Sequence, residues 1–198
     1  MKRRFFGILA ALLIALNSGC IYYPKNFYEV DEGKLYRSGQ LNGYTLKRKI
    51  KELDLQTVVN LRGADNRHYK KEKKVCEELG VDHFTFEFGK ALSNPEMINQ
   101  VLDIYENGEY PIYVHCSAGK NRAAMASALY VLQNEEGFDD VIDQLRNPKF
   151  FKKHDHPYRE NPKIVDFFRE YYGFCERCGE KSFKEWLNED YTPISIDK

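Results

Sequence analysis

The stretch from Tyr110 to Leu132, YPIYVHCSAGKNRAAMASALYVL, constrains the fold more than any other part of the chain. Ile112, Tyr113 and Val114 make a short, β-rich apolar run, the signal of a buried strand. The chain then turns through His115-Cys116-Ser117-Ala118-Gly119-Lys120-Asn121-Arg122 and continues as an Ala-, Met- and Leu-rich segment of high helix propensity. Strand, Gly-containing loop and helix in succession form an anion cradle, because loop N–H groups and the positive end of the helix dipole converge on one spot. A cysteine opens this loop and an arginine closes it, with five residues between them.

The segments before this stretch alternate in type. Leu35 to Gln40 is expected to be a short edge strand leaving into a turn, and Tyr44 to Leu53 has helical spacing of its apolar residues. Gln56 to Leu61 is a β-branched buried strand ending in the loop Arg62–Arg67. Lys70 to Leu79 is a helix with a charged face, closed by Gly80, and Val81 to Phe88 is a strand. Ser93-Asn94-Pro95-Glu96 opens a helix that runs through Tyr105. This rhythm implies an α/β fold, a central, mostly parallel sheet flanked by helices. Ligands of such sheets bind at the carboxyl ends of the strands, where the Cys116 loop, the Arg62–Arg67 loop and the Phe88–Asn94 loop all fall. Beyond Leu132, helices are expected at Phe138–Arg146, Pro162–Tyr172 and Ser182–Asn188, as a cap on the sheet.

With 198 residues and 42% hydrophobic content, the chain suits one domain with tails. Thirty basic residues balance thirty acidic ones, which gives no reason to expect a nucleic-acid partner. The first twenty residues stand apart. Lys2, Arg3 and Arg4 precede the apolar run Phe5–Leu16, and Asn17-Ser18-Gly19 leads into Cys20. This resembles a bacterial lipoprotein signal with Cys20 as the lipidated residue, although Asn17 stands where an aliphatic residue is usual. The expected organisation is a signal over residues 1–20, a lead-in linker over 21–33, a catalytic domain over 34–174 and a C-terminal tail over 175–198. The protein is then exported and held at a membrane by an N-terminal lipid.

The chemistry follows from the loop. Only a thiolate attacks well, and a cradle of N–H groups favours that form while also binding a phosphate dianion. Arg122 can grip two phosphate oxygens bidentately, a geometry lysine cannot reproduce. Gly119 is expected where the tight turn needs a positive φ. His115-Cys116-x5-Arg122 resembles the signature loop of the cysteine-based protein tyrosine phosphatases. Tyr36-Arg37-Ser38-Gly39-Gln40 and Asn60-Leu61-Arg62 upstream are similar to bacterial dual-specificity-type members. The resemblance covers roughly Lys34 to Tyr172. It implies a dual-specificity-phosphatase-like fold, catalysis by Cys116 and Arg122, and substrate binding by Ser117, Ala118, Gly119, Lys120 and Asn121, with no cofactor and no metal. The implied partner is a phosphorylated protein or a phosphoinositide or inositol phosphate; Lys120 beside Arg122 suits the latter as well as it suits a solvated loop lysine.

Two positions depart from that pattern. Ala123 follows the arginine where the family usually has Ser or Thr, so slower breakdown of a cysteinyl-phosphate is expected. The family's loop aspartate is missing as well: none occurs between Asp82 and Asp103. Glu87 and Asp65 are the substitutes for a general acid, ahead of Glu96 and Asp155. A phosphate-binding pseudophosphatase and, behind it, a rhodanese-type sulfurtransferase are the alternative readings. Cys175-x2-Cys178 reads as a disulfide partner or a pair of thiols more readily than as a zinc site with His154 and His156. Phe167, Phe168, Tyr171, Tyr172 and Phe174 read as core.

Overall fold

The computed structural model describes residues 26–134, 137–145 and 161–194. Five strands form one sheet: β1 (Tyr28–Asp31), β2 (Leu35–Gly39), β3 (Thr57–Asn60), β4 (Asp82–Thr85) and β5 (Ile112–Cys116). They lie in the order β1-β2-β5-β3-β4, with β1 antiparallel to β2 and every other neighbouring pair parallel. Among the described residues there are seven helices, α1 (Gly43–Leu53), α2 (Tyr69–Leu79), α3 (Glu96–Asn107), α4 (Asn121–Gln133), α5 (Phe138–Asp143), α6 (Pro162–Cys178) and α7 (Phe183–Glu189). A 3-10 turn at Phe88–Ser93 occupies the loop after β4.

Several helix boundaries have a local cause. The Asn42 side chain accepts the Thr45 N–H at the start of α1, and Gly80 caps α2 in the left-handed region. A reciprocal Ser182–Glu185 capping box opens α7. The expected edge strand Leu35–Gln40 is not at an edge. Residues Tyr28–Asp31, inside the expected linker, form β1 and cover it. Their alternation of Tyr28 and Val30 with Glu29 and Asp31, mostly half-buried, hid the strand from a reading based on apolar runs.

The sheet divides the core in two. On one face Leu35, Val59, Ile112 and Val114 pack with α3, α4 and the C-terminal helices. On the other, Tyr36, Val58 and Tyr113 meet Leu46 and Ile50 of α1 and Cys76 of α2. Ten consecutive residues of α4, Ala123 to Leu132, are buried, so this helix is wrapped on all sides, and its alanines permit close approach. Trp186, only 1% exposed, sits in the same core as Phe167 and Phe168, so α7 belongs to the domain although it lies in the expected tail. Lys184 ties α7 to Asp103 and Glu106 of α3.

Candidate active site

Side chains alternate along a strand, and β5 uses both faces. Ile112, Val114 and Cys116 point into the core around α4, whereas Tyr113 and His115 point toward α1 and α2. Cys116 is the last residue of β5 and is 3% exposed, and α4 begins at Asn121. β5 fills the gap between β2 and β3, the place in an open parallel sheet where a crevice forms outside the strand ends.

The connecting loop is moulded onto the end of β2. Gln40 N–H donates to the Ser117 carbonyl at 3.1 Å, and Ala118 bridges to Gly39. The Ala118 carbonyl accepts from Asn26 Nδ2 at 2.6 Å. Gly119 has φ +70°, as expected, and a Cβ there would lie 2.4 Å from Gly39 N. Gly39 is equally constrained, since its Cβ would meet Ala118 C and Ser117 O at 3.0 Å. No side chain fits at either position without moving backbone. Ser117, Lys120 and Asn121 are exposed and Ala118 is half-buried. Arg122, in the first turn of α4, donates from Nη1 to the Leu61 carbonyl at 3.0 Å, which ties the loop's far end to the end of β3. Ala123 is fully buried, so the position after the arginine offers only a methyl group.

Beneath the loop lies a group the sequence reading missed. Glu72 of α2, 3% exposed, accepts from Asn60 Nδ2 and Gln40 Nε2 at 2.6 Å each and lies 3.0 Å from His83 Nε2. His115 Nε2 is 3.1 Å from its other oxygen, as a close contact rather than an aligned hydrogen bond. One carboxylate therefore touches residues at or beside the ends of β2, β3 and β5 and the middle of β4. Burial alone would push the Glu72 carboxyl up, but His115, His83 and Gln40 outweigh it and hold the group well below the usual carboxylate range. The sequence signal was Glu72 sharing one helical stripe with Cys76 and Leu79, at spacings of four and seven.

From this hub Gln40 reaches outward, its Oε1 accepting from Arg62 Nη1 at 2.7 Å. Arg62 N–H is fixed by Asn60 Oδ1 at 2.8 Å. Arg62, Arg67 and His68 then line a cavity of about 690 Å³ with Gln40, Leu41, Asn42 and Ser117. Neither expected acid lines it. Glu87, just after β4, is exposed, pairs with Lys90 at 3.2 Å and packs against Gly63; Asp65 is exposed in the loop after β3. Glu96 is exposed in the first turn of α3. Asp155, His154, His156 and Cys20 lie outside the described residues. Cys76, Cys116, Cys175 and Cys178 are free thiols, and no group of metal-ligating side chains forms among the described residues.

A buried cysteine at a strand end, a glycine-dependent loop and an arginine in the next helical turn thus lie together at the end of β5. A family model described as the tyrosine phosphatase family matches residues 21–132, and the chain belongs to that family. The match embraces the loop from Cys116 to Arg122 and sets the chain among phosphatases rather than sulfurtransferases. A search of curated protein sequences finds no match. Among solved structures, the chain is similar to the core catalytic domain of the PP-IP phosphatase SIW14 from S. cerevisiae, at 16% identity and TM-score 0.59, covering 83% of this chain and 96% of that one. It is also similar to TpbA of P. aeruginosa, at 18% identity and TM-score 0.54, covering 75% and 91%. At these identities the likeness is one of fold, and it bears out the dual-specificity-phosphatase-like sheet.

Proposed function

We propose that the protein hydrolyses phosphate monoesters in two steps, with Cys116 as nucleophile and Arg122 as the phosphate-binding cation. The observation that carries this reading is the loop between them, held by Gly39 at one end and by the Leu61 carbonyl at the other. In the first step the Cys116 thiolate forms an S–P bond as the ester P–O bond breaks, and the leaving oxygen takes up a proton. In the second, water attacks phosphorus, the S–P bond breaks, and inorganic phosphate leaves. Arg122 and the loop N–H groups neutralise charge on the three transferring oxygens in both steps. Ser117, Ala118, Gly119, Lys120 and Asn121 supply the backbone of that cradle. Glu87 and Asp65 are the proposed proton donors, in the loops after β4 and β3, at the same edge of the sheet as the end of β5. Phosphotyrosine-like esters and inositol phosphates both fit the reading.

Turnover of an aryl phosphate tests it. Cys116→Ser should reduce the rate to background, and Arg122→Lys should lower kcat about 10²–10³-fold. Alanine at Glu87 or Asp65 should cost about 10²–10⁴-fold on a poor leaving group at whichever site is the acid. The buried methyl of Ala123 favours a second reading, phosphate binding with negligible turnover. Phosphate binding by the wild-type protein without Cys116-dependent turnover would establish that reading and sink the first.

Export and a lipid anchor on Cys20 are proposed on the strength of the basic cluster and apolar run of residues 2–16. Among the described residues no helix is long and apolar enough to cross a membrane. Cys20→Ser should move the protein from the membrane to the soluble fraction of fractionated cells; an unchanged distribution overturns the anchor.

A further inference from the structure

The cavity beside Ser117 is lined by basic and neutral side chains. Two guanidinium groups and one imidazole line it, and no carboxylate does. Further along α2, Lys73 and Lys74 pair with Glu77 and Glu78. Because Ser117 follows Cys116 directly, the cavity opens next to the cradle rather than at a remote surface.

We infer that this cavity is a second anion subsite, in which Arg62, Arg67 and His68 bind a further phosphate carried by the same substrate molecule that presents its first phosphate to Cys116. For that first phosphate the inference rests on the phosphatase reading. Arg62 is organised in advance. Its backbone is held by Asn60 and its guanidinium by Gln40, and both of those side chains are held by the buried Glu72. A cation ordered before the ligand arrives does not lose side-chain freedom on binding. Only one of its five N–H donors is spent on Gln40, so the fork can still engage a phosphate.

Among the described residues Arg67 has no carboxylate partner, and its side chain bonds His68. Arg67 Nε donates to His68 Nε2 at 3.1 Å, which requires a neutral imidazole with its proton on Nδ1. Desolvation and then the Arg67 and Arg62 guanidiniums hold His68 below its ordinary pKa, with Lys71 acting in the same direction and the Glu72 carboxylate opposing. A phosphate dianion supplies the charge these groups lack. The ligand chemistry is therefore a compact bis- or polyphosphate ester, such as a cyclitol carrying neighbouring phosphates. A soluble inositol polyphosphate and a phosphoinositide headgroup share that chemistry.

The test uses the full chain with Cys116→Ser, so that binding is read without turnover. Inositol hexakisphosphate should bind by calorimetry far more tightly than inorganic phosphate. Adding Arg67→Ala or Arg62→Gln should weaken the hexakisphosphate by about 10–100-fold each and inorganic phosphate by much less. Arg67 is exposed and contacts only its neighbour, so its removal does not threaten the fold. Phosphatidylcholine vesicles containing a phosphatidylinositol bisphosphate form the second arm. Arginine-dependent binding in either arm supports the subsite, and the tighter arm identifies the source. Equal losses for both soluble ligands, no loss for either, or arginine-dependent binding only of a doubly phosphorylated peptide would overturn it. Absent aryl phosphate turnover by the wild-type chain, with the arginine-dependent binding intact, would sink the catalytic reading alone. Turnover without the arginine dependence would sink the subsite alone.

Discussion

The two faces of β5 are made of different materials and do different work. Toward α4, Ile112, Val114 and Cys116 enter a core of alanines, leucines and phenylalanines. Toward α2, Tyr113 stacks on His115 with ring centroids 5.3 Å apart and bonds Ser38, and His115 abuts the Glu72 carboxylate. Dispersion and burial hold the first face without regard to direction, so it fixes which elements pack together. Hydrogen bonds are directional and costly to leave unmade, so the second face fixes where the strand ends point. Cys116 is on the apolar face, and the side chains that bond one another across the strand ends are on the polar one.

The largest expected effect comes from emptying each face in turn. Glu72→Ala leaves Asn60, Gln40 and His83 without their buried acceptor and should cost about 3–5 kcal/mol of stability. Leu129→Ala, in the buried middle of α4, should cost about 2–5 kcal/mol through the cavity it leaves. The two overlap in denaturant midpoint and separate in kinetics. Under conditions where both variants are folded, the Leu129 variant should keep the wild-type KM for an aryl phosphate. The Glu72 variant should show a raised KM and a lowered kcat. Matching kinetic parameters in the two variants would abolish the distinction between the faces.

Glu72→Gln is the finer version, expected to cost about 1–3 kcal/mol because shape and some hydrogen bonds survive. It also isolates the charge. The folded-state pKa of Glu72 is depressed, so its stabilisation is fully present above the ordinary glutamate pKa of about 4.3 and is lost as pH falls below that value toward the folded-state pKa. Thermal melts of the wild type should therefore decline in that acid window. The Glu72→Gln profile should be flatter there, and two parallel profiles would show that the ionised carboxylate is not what the network needs.

The apolar face was legible in the sequence and the polar face largely was not, for a physical reason. Ile112–Val114, Thr57–Val59 and the alanine-rich run after Arg122 announce burial through composition, and the structure has strands and helix there. Gly119 announces a backbone conformation that few other residues adopt, and its φ is positive. A carboxylate buried for its hydrogen bonds looks in sequence like the exposed carboxylates around it. Glu72 stands among Lys70, Lys71, Lys73 and Lys74, and only its spacing from Cys76 and Leu79 distinguishes it. Arg62 and Arg67 were visible as the ends of one strand-end loop, but the Gln40 link that orders Arg62 depends on a contact between residues 22 apart in sequence. β1 was missed because a half-buried antiparallel edge strand needs little apolar content.

The smallest effect bears on the boundary between the faces and the chemistry. Ala123 is the first residue of α4 that is completely buried, and it sits immediately after the arginine of the loop. A serine there adds one oxygen at a packed position, which should cost about 1–3 kcal/mol if the hydroxyl finds no partner and less if it does. The partner we propose for that hydroxyl is the sulfur of Cys116, at the other end of the loop. A hydroxyl that donates to sulfur stabilises it as the leaving group of the second step. Ala123→Ser should therefore shrink the pre-steady-state burst on an aryl phosphate and raise steady-state turnover about tenfold, the equivalent of one charge-assisted hydrogen bond. A stable variant with an unchanged burst would show that dephosphorylation of the cysteine is not the step that Ala123 slows.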